Sequence, residues 1–132
     1  MTSPRGVIDA SVVVDLLVGR DRAEVLDAMP AGVWHAPSLL DVEVVSALRG
    51  LMLGGHLSRP RAHDALRDFD DLGFTRWPVD SAVRTRLLDL ADNLSAYDAT
   101  YVVLAQALDA PLLTRDRRLA AAARGMVAIR SV

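Results

Sequence analysis

Four acidic residues stand at positions from which carboxylates could act together: Asp9, Glu43, Asp98 and Asp116. Asp9 ends the apolar segment 6–9, which is predicted as a short buried strand, and Asp116 lies two residues beyond the apolar segment 111–114. In open α/β sheets, ligands bind beyond the carboxyl ends of strands, so these two carboxylates could share a divalent cation. Asp is also a favoured helix N-cap, and capping is an alternative for both residues.

Glu43 lies on a strongly apolar predicted helix. Its neighbours on the same helical face include Leu40 and Ala47, so its side chain projects onto an apolar face. A buried carboxylate without a partner is costly and is normally paired or bound to a metal. Asp41 competes for the same role, but it lies in the first turn, where the helix dipole favours an acid. We therefore expect Glu43, and not Asp41, to belong to a site.

Asp98 also shares its helical face with apolar residues, namely Tyr101, Val102 and Ala105. Its alternative role is structural, because Ser95 and Asp98 together match a helix capping box. The spacing alone does not decide between the two roles.

The combination of the four acids indicates a metal site. Carboxylates held close together raise one another's pKa unless a cation neutralises them. Mg²⁺ and Mn²⁺ prefer such hard oxygen ligands. A cation held there could activate water for attack on a phosphodiester, and a second could stabilise the leaving oxygen. These residues therefore indicate divalent-metal-dependent phosphodiester hydrolysis.

Predicted strands and helices alternate along the chain. Ser58 and Ser95 are predicted N-caps, Pro30 is predicted to stop the second helix, and Pro78 makes the third strand an edge strand. The predicted strands cover residues 6–9, 32–36, 74–79, 111–114 and 126–130. This alternation predicts an α/β layer fold around a mainly parallel sheet of four to five strands. A length of 132 residues fits one domain, 1–132.

The composition excludes several kinds of chemistry. The chain has no cysteine, and all 15 basic residues are arginine, which rules out disulfides, thiolate zinc sites and Schiff-base lysine catalysis. The segment that holds Asp9 and Asp15 does not resemble a secretory signal, and no apolar run is long enough for a membrane span. We expect a cytoplasmic protein.

The net charge of −2 offers no overall basic surface to a nucleic acid. RNA binding would therefore depend on a local group of arginines, and the candidates are Arg20, Arg22, Arg115, Arg117 and Arg118. The alternative is that these residues form solvated helix faces with ordinary ion pairs.

Three segments carry a further signal: VIDASVVVDLLVG (7–19), APSLLDVEVVSALRG (36–50) and SAYDATYVVLAQALDAPLLTRDRRLA (95–120). In this order they resemble the signature blocks of PIN-domain toxins of the VapC type, and the resemblance covers nearly the whole chain. The stretch AYDA-x-Y-V-x-L-A followed by LLT-x-D is its most specific part.

The resemblance implies a three-layer α/β/α fold and an endoribonuclease that uses one or two Mg²⁺ or Mn²⁺ ions. Implied substrates are structured RNAs such as tRNA or rRNA, and implied partners are a cognate antitoxin and a second copy of the chain. Carried over as metal ligands are Asp9, Glu43, Asp98 and Asp116, with Ser11 and Thr114 as hydroxyls that orient carboxylates or water. Some family members carry a further acid after the last aspartate, whereas Arg117, Arg118 and Leu119 follow here.

Two other classes of protein place acids at strand ends. A phosphotransfer receiver needs a lysine, which the chain lacks, and a haloacid-dehalogenase site begins D-x-D, whereas Ala10 and Ser11 follow Asp9. The sequence disfavours both. A non-catalytic PIN-like module that binds RNA or protein remains the alternative to a ribonuclease.

Overall fold

A parallel sheet forms the centre of the molecule. The computed structural model describes residues 5–29 and 32–132. Within these residues the strands are β1 (Arg5–Ile8), β2 (Val33–Pro37), β3 (Thr75–Trp77), β4 (Leu112–Thr114) and β5 (Ile129–Ser131). They lie in the order β3-β2-β1-β4-β5, and every neighbouring pair is parallel. The predicted sheet is confirmed, with β3 at one edge as Pro78 indicates.

Helices connect successive strands. They are α1 (Ala10–Val18), α2 (Arg22–Ala28), α3 (Leu39–Leu53), α4 (Arg59–Asp71), α5 (Ser81–Asp89), α6 (Ala96–Leu108) and α7 (Arg117–Ala123). The predicted caps Ser58 and Ser95 accept hydrogen bonds from backbone N–H groups in the first turns of α4 and α6. None of these helices is both long and apolar enough to cross a bilayer, as far as the described ranges extend.

The end of the second helix and the start of the last strand differ from the predicted boundaries. The second helix ends at Ala28, and the predicted stop at Pro30 lies outside the described residues. The last strand begins at Ile129, three residues later than predicted. Gly125 adopts a left-handed conformation with φ of +87°, and the Met126 N–H bonds to the Ala123 carbonyl at 3.0 Å. Because of this turn, the chain does not pair with β4 until Ile129.

The sheet separates two apolar cores. Because side chains alternate along a strand, Ile8 and Leu113 pack with α1, α3 and α4 on one face. Val7 and Leu112 pack with α6 and α7 on the other face. The result is the predicted three-layer α/β/α arrangement.

The strand order reverses next to β1. From β1 the chain proceeds outward through β2 to β3, and it then returns to place β4 and β5 on the opposite side of β1. The connections on the two sides therefore diverge above the carboxyl ends of β1 and β4, which opens a crevice there. Asp9 follows β1 directly, and Asp116 follows β4 by two residues.

Candidate active site

Asp9 is buried at the carboxyl end of β1, where its side chain is oriented by three donors. It is only 5% exposed. One carboxylate oxygen accepts from the Ser11 hydroxyl at 2.6 Å and from the Val12 N–H at 3.3 Å. The other accepts from the Thr114 hydroxyl at 2.7 Å. Asp9 thus caps α1, as its alternative role predicts, and at the same time reaches across to β4.

Ser11 and Thr114 connect Asp9 to the backbone that follows β4. The Thr114 Oγ1 accepts from the Asp116 N–H at 2.9 Å, and the Ser11 Oγ accepts from the Arg115 N–H at 2.9 Å. A hydroxyl that accepts from a backbone N–H keeps its own proton for another acceptor, and in both cases that acceptor is Asp9. The two hydroxyls therefore hold the carboxylate in one orientation.

Asp116 begins α7 and faces Asp98 on α6 across one arginine. Asp116 caps α7 through hydrogen bonds from the Arg118 and Leu119 N–H groups at 2.9 and 3.2 Å. The Arg118 guanidinium contacts Oδ2 of Asp98 at 2.8 Å and Oδ2 of Asp116 at 3.4 Å. The bond to Asp98, with the charges of both acids, raises the pKa of Arg118 above its usual value. Arg118 therefore remains a cation between the two carboxylates.

The capping box predicted for Asp98 is half formed. The Ser95 hydroxyl accepts from the Asp98 N–H at 3.1 Å. The Asp98 carboxylate is directed toward Arg118. The local backbone role and a role in the acid cluster are therefore compatible.

Glu43 faces the other acids, and Asp41 does not. The Tyr101 hydroxyl on α6 donates to Oε1 of Glu43 at 2.5 Å. Asp41 instead forms a two-point ion pair with Arg76 on β3, at 2.9 and 3.2 Å, in an exposed position. The preference for Glu43 over Asp41 as a member of the cluster agrees with this placement.

Burial is the main influence on the ionisation of Asp9. Desolvation raises the pKa of Asp9, the hydrogen bonds from Ser11, Thr114 and Val12 lower it in part, and the charge of Asp116 raises it further. The net result is a raised pKa. The ionised form of Asp9 is thus less stable here than in water.

Glu43 experiences the charges of two cluster members. Desolvation raises the pKa of Glu43, the Tyr101 hydrogen bond lowers it in part, and the charges of Asp9 and Asp98 raise it. The same surroundings raise the pKa of Tyr101, so its hydroxyl stays protonated. The four acids therefore lie close enough together for their charges to raise the pKa values of Asp9 and Glu43.

The four acids have the oxygen donors that a divalent cation needs, but their side chains are not arranged around one point. Within the described ranges, no three His, Cys, Asp or Glu side chains are positioned to bind one metal ion together. Hydroxyl groups and the Arg118 guanidinium contact the carboxylate oxygens instead. All four acids offer hard oxygen donors, and the guanidinium marks a place where the cluster binds positive charge. These residues fit a hard divalent cation.

The arginines next to Asp116 differ in their surroundings. Arg115 pairs with Asp15 at 2.9 Å and with Asp21 at 2.8 Å, so it links the segment after β4 to α1 and to the start of α2. Arg117 is exposed, and in the part of the chain that the structure covers its side chain has no ion pair. Arg118 is the member of the group whose side chain enters the acid cluster.

Two residues that contact the acids, Tyr101 and Arg118, are not predicted as members of the cluster from the sequence. The sequence places Tyr101 only on an apolar helical face, yet a tyrosine among buried residues needs a partner for its hydroxyl. Arg118 was grouped with its neighbouring arginines. A positive charge in the first turn of α7 is unfavourable, because the N-terminal end of a helix is itself partly positive. This is a sequence signal that acids lie nearby to offset the charge.

A cavity of about 530 Å³ lies away from the four acids, between the β3 edge and α6. Its lining includes Trp77, Val83 and Leu104. A smaller cavity of about 210 Å³ adjoins the cluster, and its lining includes Asp116 and Arg117. The larger cavity is apolar and offers no titratable partner for phosphodiester chemistry apart from Asp80.

Comparison with known proteins assigns the chain to a family. The family model of the PIN domain matches residues 6–125. Ribonuclease VapC1 of Mycobacterium tuberculosis is 41% identical over 118 residues, which cover 88% of this chain and 89% of that protein. The chain belongs to the PIN-domain family and, within it, to the VapC type.

Solved structures share the fold. A crystal structure of a Pyrobaculum aerophilum protein superposes with a TM-score of 0.72 at 23% identity, covering 98% of this chain and 84% of that chain. VapBC-5 of Mycobacterium tuberculosis, a member of the VapBC family of toxin–antitoxin systems, gives a TM-score of 0.59 at 20% identity, with 97% of each chain covered. The predicted three-layer fold is thus confirmed by independent structures.

Proposed function

We propose that this protein is a Mg²⁺- or Mn²⁺-dependent endoribonuclease and the toxin component of a toxin–antitoxin pair. The observation that carries the proposal is the convergence of four acids from separate elements at the reversal in strand order. They are Asp9 after β1, Glu43 on α3, Asp98 on α6 and Asp116 before α7. The printed name of the 41%-identical relative, a ribonuclease, supports the class of reaction.

The same four acids, Asp9, Glu43, Asp98 and Asp116, would hold the cation. A bound divalent cation supplies activation of water and neutralises charge on the phosphodiester. The hydrogen bonds that tie the carboxyl ends of β1 and β4 together hold Asp9 in one orientation.

Three hydroxyls would keep the carboxylates in position. Ser11 and Thr114 donate to opposite oxygens of Asp9, and Tyr101 donates to Glu43. Each carboxylate keeps lone pairs that are free for a cation, because a carboxylate has about four acceptor positions. We therefore assign orienting roles to these hydroxyls.

The proposed substrates are structured RNAs such as tRNA or rRNA, and the proposed compartment is the cytoplasm. The proposed partners are a cognate antitoxin and a second copy of this one-domain chain. A fold shared with a toxin–antitoxin structure supports the first partner. Exposed apolar side chains on α3, namely Val42, Val45 and Leu53, support a partner surface. Light scattering of the purified chain tests whether it is a homodimer.

Cleavage of total RNA tests the catalytic proposal. The wild-type protein should cut RNA with Mg²⁺ or Mn²⁺ and stop when EDTA is added. Asp9→Asn and Glu43→Gln should abolish cleavage, and Asp41→Asn should retain it, because Asp41 pairs with Arg76 away from the cluster. This last variant is a matched control, since it removes one carboxylate from the same helix. Cleavage by Asp9→Asn at the wild-type rate would refute the ligand assignment.

The alternative is a non-catalytic PIN-like module that binds RNA or protein. RNA that binds but stays intact at every metal concentration would favour this alternative. If cleavage occurs, sequencing of RNA 5′ ends after brief expression would identify the target and the cut site.

A further inference from the structure

Arg118 is a basic residue whose guanidinium contacts two of the four acids, Asp98 and Asp116. We propose that Arg118 is a substrate-binding residue that exchanges Asp98 and Asp116 for a phosphate of the RNA when the divalent cation binds. This inference rests on the proposed function and extends it to a specific residue.

Arg118 and the proposed cation compete for the same two carboxylates. The guanidinium contacts Oδ2 of Asp98 at 2.8 Å and Oδ2 of Asp116 at 3.4 Å. Both acids are proposed metal ligands. A divalent cation on these oxygens would also repel the guanidinium, because like charges at contact distance repel. A bound cation would therefore weaken the contacts of Arg118 with Asp98 and Asp116.

Solvent reaches the guanidinium of Arg118 in both of its ion pairs. The Arg118 side chain is 69% exposed, whereas the side chains of its partners Asp98 and Asp116 are 13% and 36% exposed. Water and salt around the exposed guanidinium screen its charge and weaken these ion pairs. No further ion pair or side-chain hydrogen bond of Arg118 is found within residues 5–29 and 32–132.

After release, the guanidinium of Arg118 would stay close to the acid cluster. The Arg118 backbone N–H bonds to Oδ1 of Asp116 at 2.9 Å in the cap of α7, so residue 118 stays beside the cluster. A guanidinium presents paired donors that match two phosphate oxygens. The substrate's phosphodiester is the anion that must reach this place.

Neighbouring arginines are less suited to this role. Arg115 is held by Asp15 and Asp21, which lie outside the four-acid cluster, so metal binding does not release it. Arg117 is exposed and contacts none of the four acids in the described structure, so its availability does not depend on metal. Arg117 is thus a matched control, with the same charge in the same turn of α7.

The first experiment measures Mn²⁺ affinity without RNA, by electron paramagnetic resonance of free Mn²⁺. Arg118→Ala should bind Mn²⁺ about 1.5-fold to fivefold more tightly than wild type, because a competing cation has been removed. Arg117→Ala should change the affinity much less. An equal change in both variants would indicate a general charge effect and would overturn the exchange.

The second experiment measures binding of a fluorescently labelled tRNA pool in Ca²⁺ and in EDTA, with the RNA checked for integrity on a gel. In Ca²⁺, Arg118→Ala should reduce the slope of log affinity against log salt by about 1, the loss of one phosphate contact. In EDTA it should leave the slope unchanged. A slope that is unchanged in Ca²⁺, or reduced equally in both conditions, would overturn the proposal.

The wild-type controls separate the two proposals. If the wild-type protein binds no Mn²⁺ and leaves RNA intact, the proposed function fails and this inference fails with it. If the wild-type protein cleaves RNA with metal while Arg118→Ala behaves like Arg117→Ala, only the role of Arg118 is refuted.

Discussion

Divalent cations should stabilise the folded protein, and more strongly at alkaline pH than at acidic pH. Burial raises the pKa of Asp9, and burial with the charges of Asp9 and Asp98 raises the pKa of Glu43. A bound cation would favour the ionised form of each carboxylate. We therefore compare the thermal stability of the protein with and without Mn²⁺ at two pH values.

The sign follows from proton linkage. Because the folded-state pKa values of Asp9 and Glu43 are raised, the metal-free native state holds more protons than the unfolded chain above the ordinary carboxylate range. The stabilising contribution of these groups is fully present below their unfolded pKa values. It is lost as pH rises through the raised folded values. A cation, which binds the deprotonated native site, should restore that stability most at high pH.

The size of the effect can be worked out from the chain length. Metal at about a hundred times its dissociation constant adds about 2.7 kcal/mol to the free energy of unfolding. For 132 residues, the unfolding entropy near the midpoint is about 0.28 kcal/mol/K. We therefore expect the melting temperature to rise by about 10 °C near pH 8 and by about half of that or less near pH 5.5.

Thermal melting with and without Mn²⁺ near pH 5.5 and pH 8 measures this difference. The metal-induced rise should shrink in Asp9→Asn, which removes one proposed ligand. Asp41→Asn should keep the full rise, because Asp41 pairs with Arg76 outside the cluster. An equal rise at both pH values, or one that Asp9→Asn leaves unaffected, would refute a coupled carboxylate metal site.

Three further predictions follow from the same contacts. Thr114→Val removes a buried donor to Asp9 and should lower the free energy of unfolding by about 1.5–3 kcal/mol in urea titrations; the exposed control Thr85→Val should cost less than about 0.5 kcal/mol. Asp98→Asn should lose RNA cleavage in a gel assay, while its metal-free stability at neutral pH stays unchanged or rises, because the substitution removes repulsion; cleavage at the wild-type rate would be incompatible with a ligand role. An antitoxin complex should place an arginine against the acids where Arg118 now lies; a crystal structure of the complex with all four acids open to solvent would contradict this.

Much of the architecture could be predicted from the sequence, because local patterns govern it. Short apolar runs bounded by turn residues located each strand, and Ser58 and Ser95 marked helix starts through hydrogen bonds to their own first turns. Strand ends in a parallel sheet share one edge, so Asp9 and Asp116 could be placed together without coordinates. The apolar neighbours of Glu43 distinguished it from Asp41.

Contacts between residues far apart in the chain depend on how the strands and helices pack. The parallel register of β1 and β4 sets Thr114 beside Asp9, although 105 positions separate them in the chain. The packing of α6 against the sheet brings Tyr101 to Glu43. No periodicity specifies which long side chains will meet once helices are packed, since that depends on crossing geometry and rotamers.

The arginines show this division most clearly. In the sequence, Arg115, Arg117 and Arg118 flank Asp116, which predicts a local concentration of positive charge. Only the fold separated their roles, by directing Arg115 to Asp15 and Asp21, and Arg118 to Asp98 and Asp116. A flexible arginine side chain can reach several acids, and the positions of α1, α6 and α7 around the sheet determine which of them lie within reach.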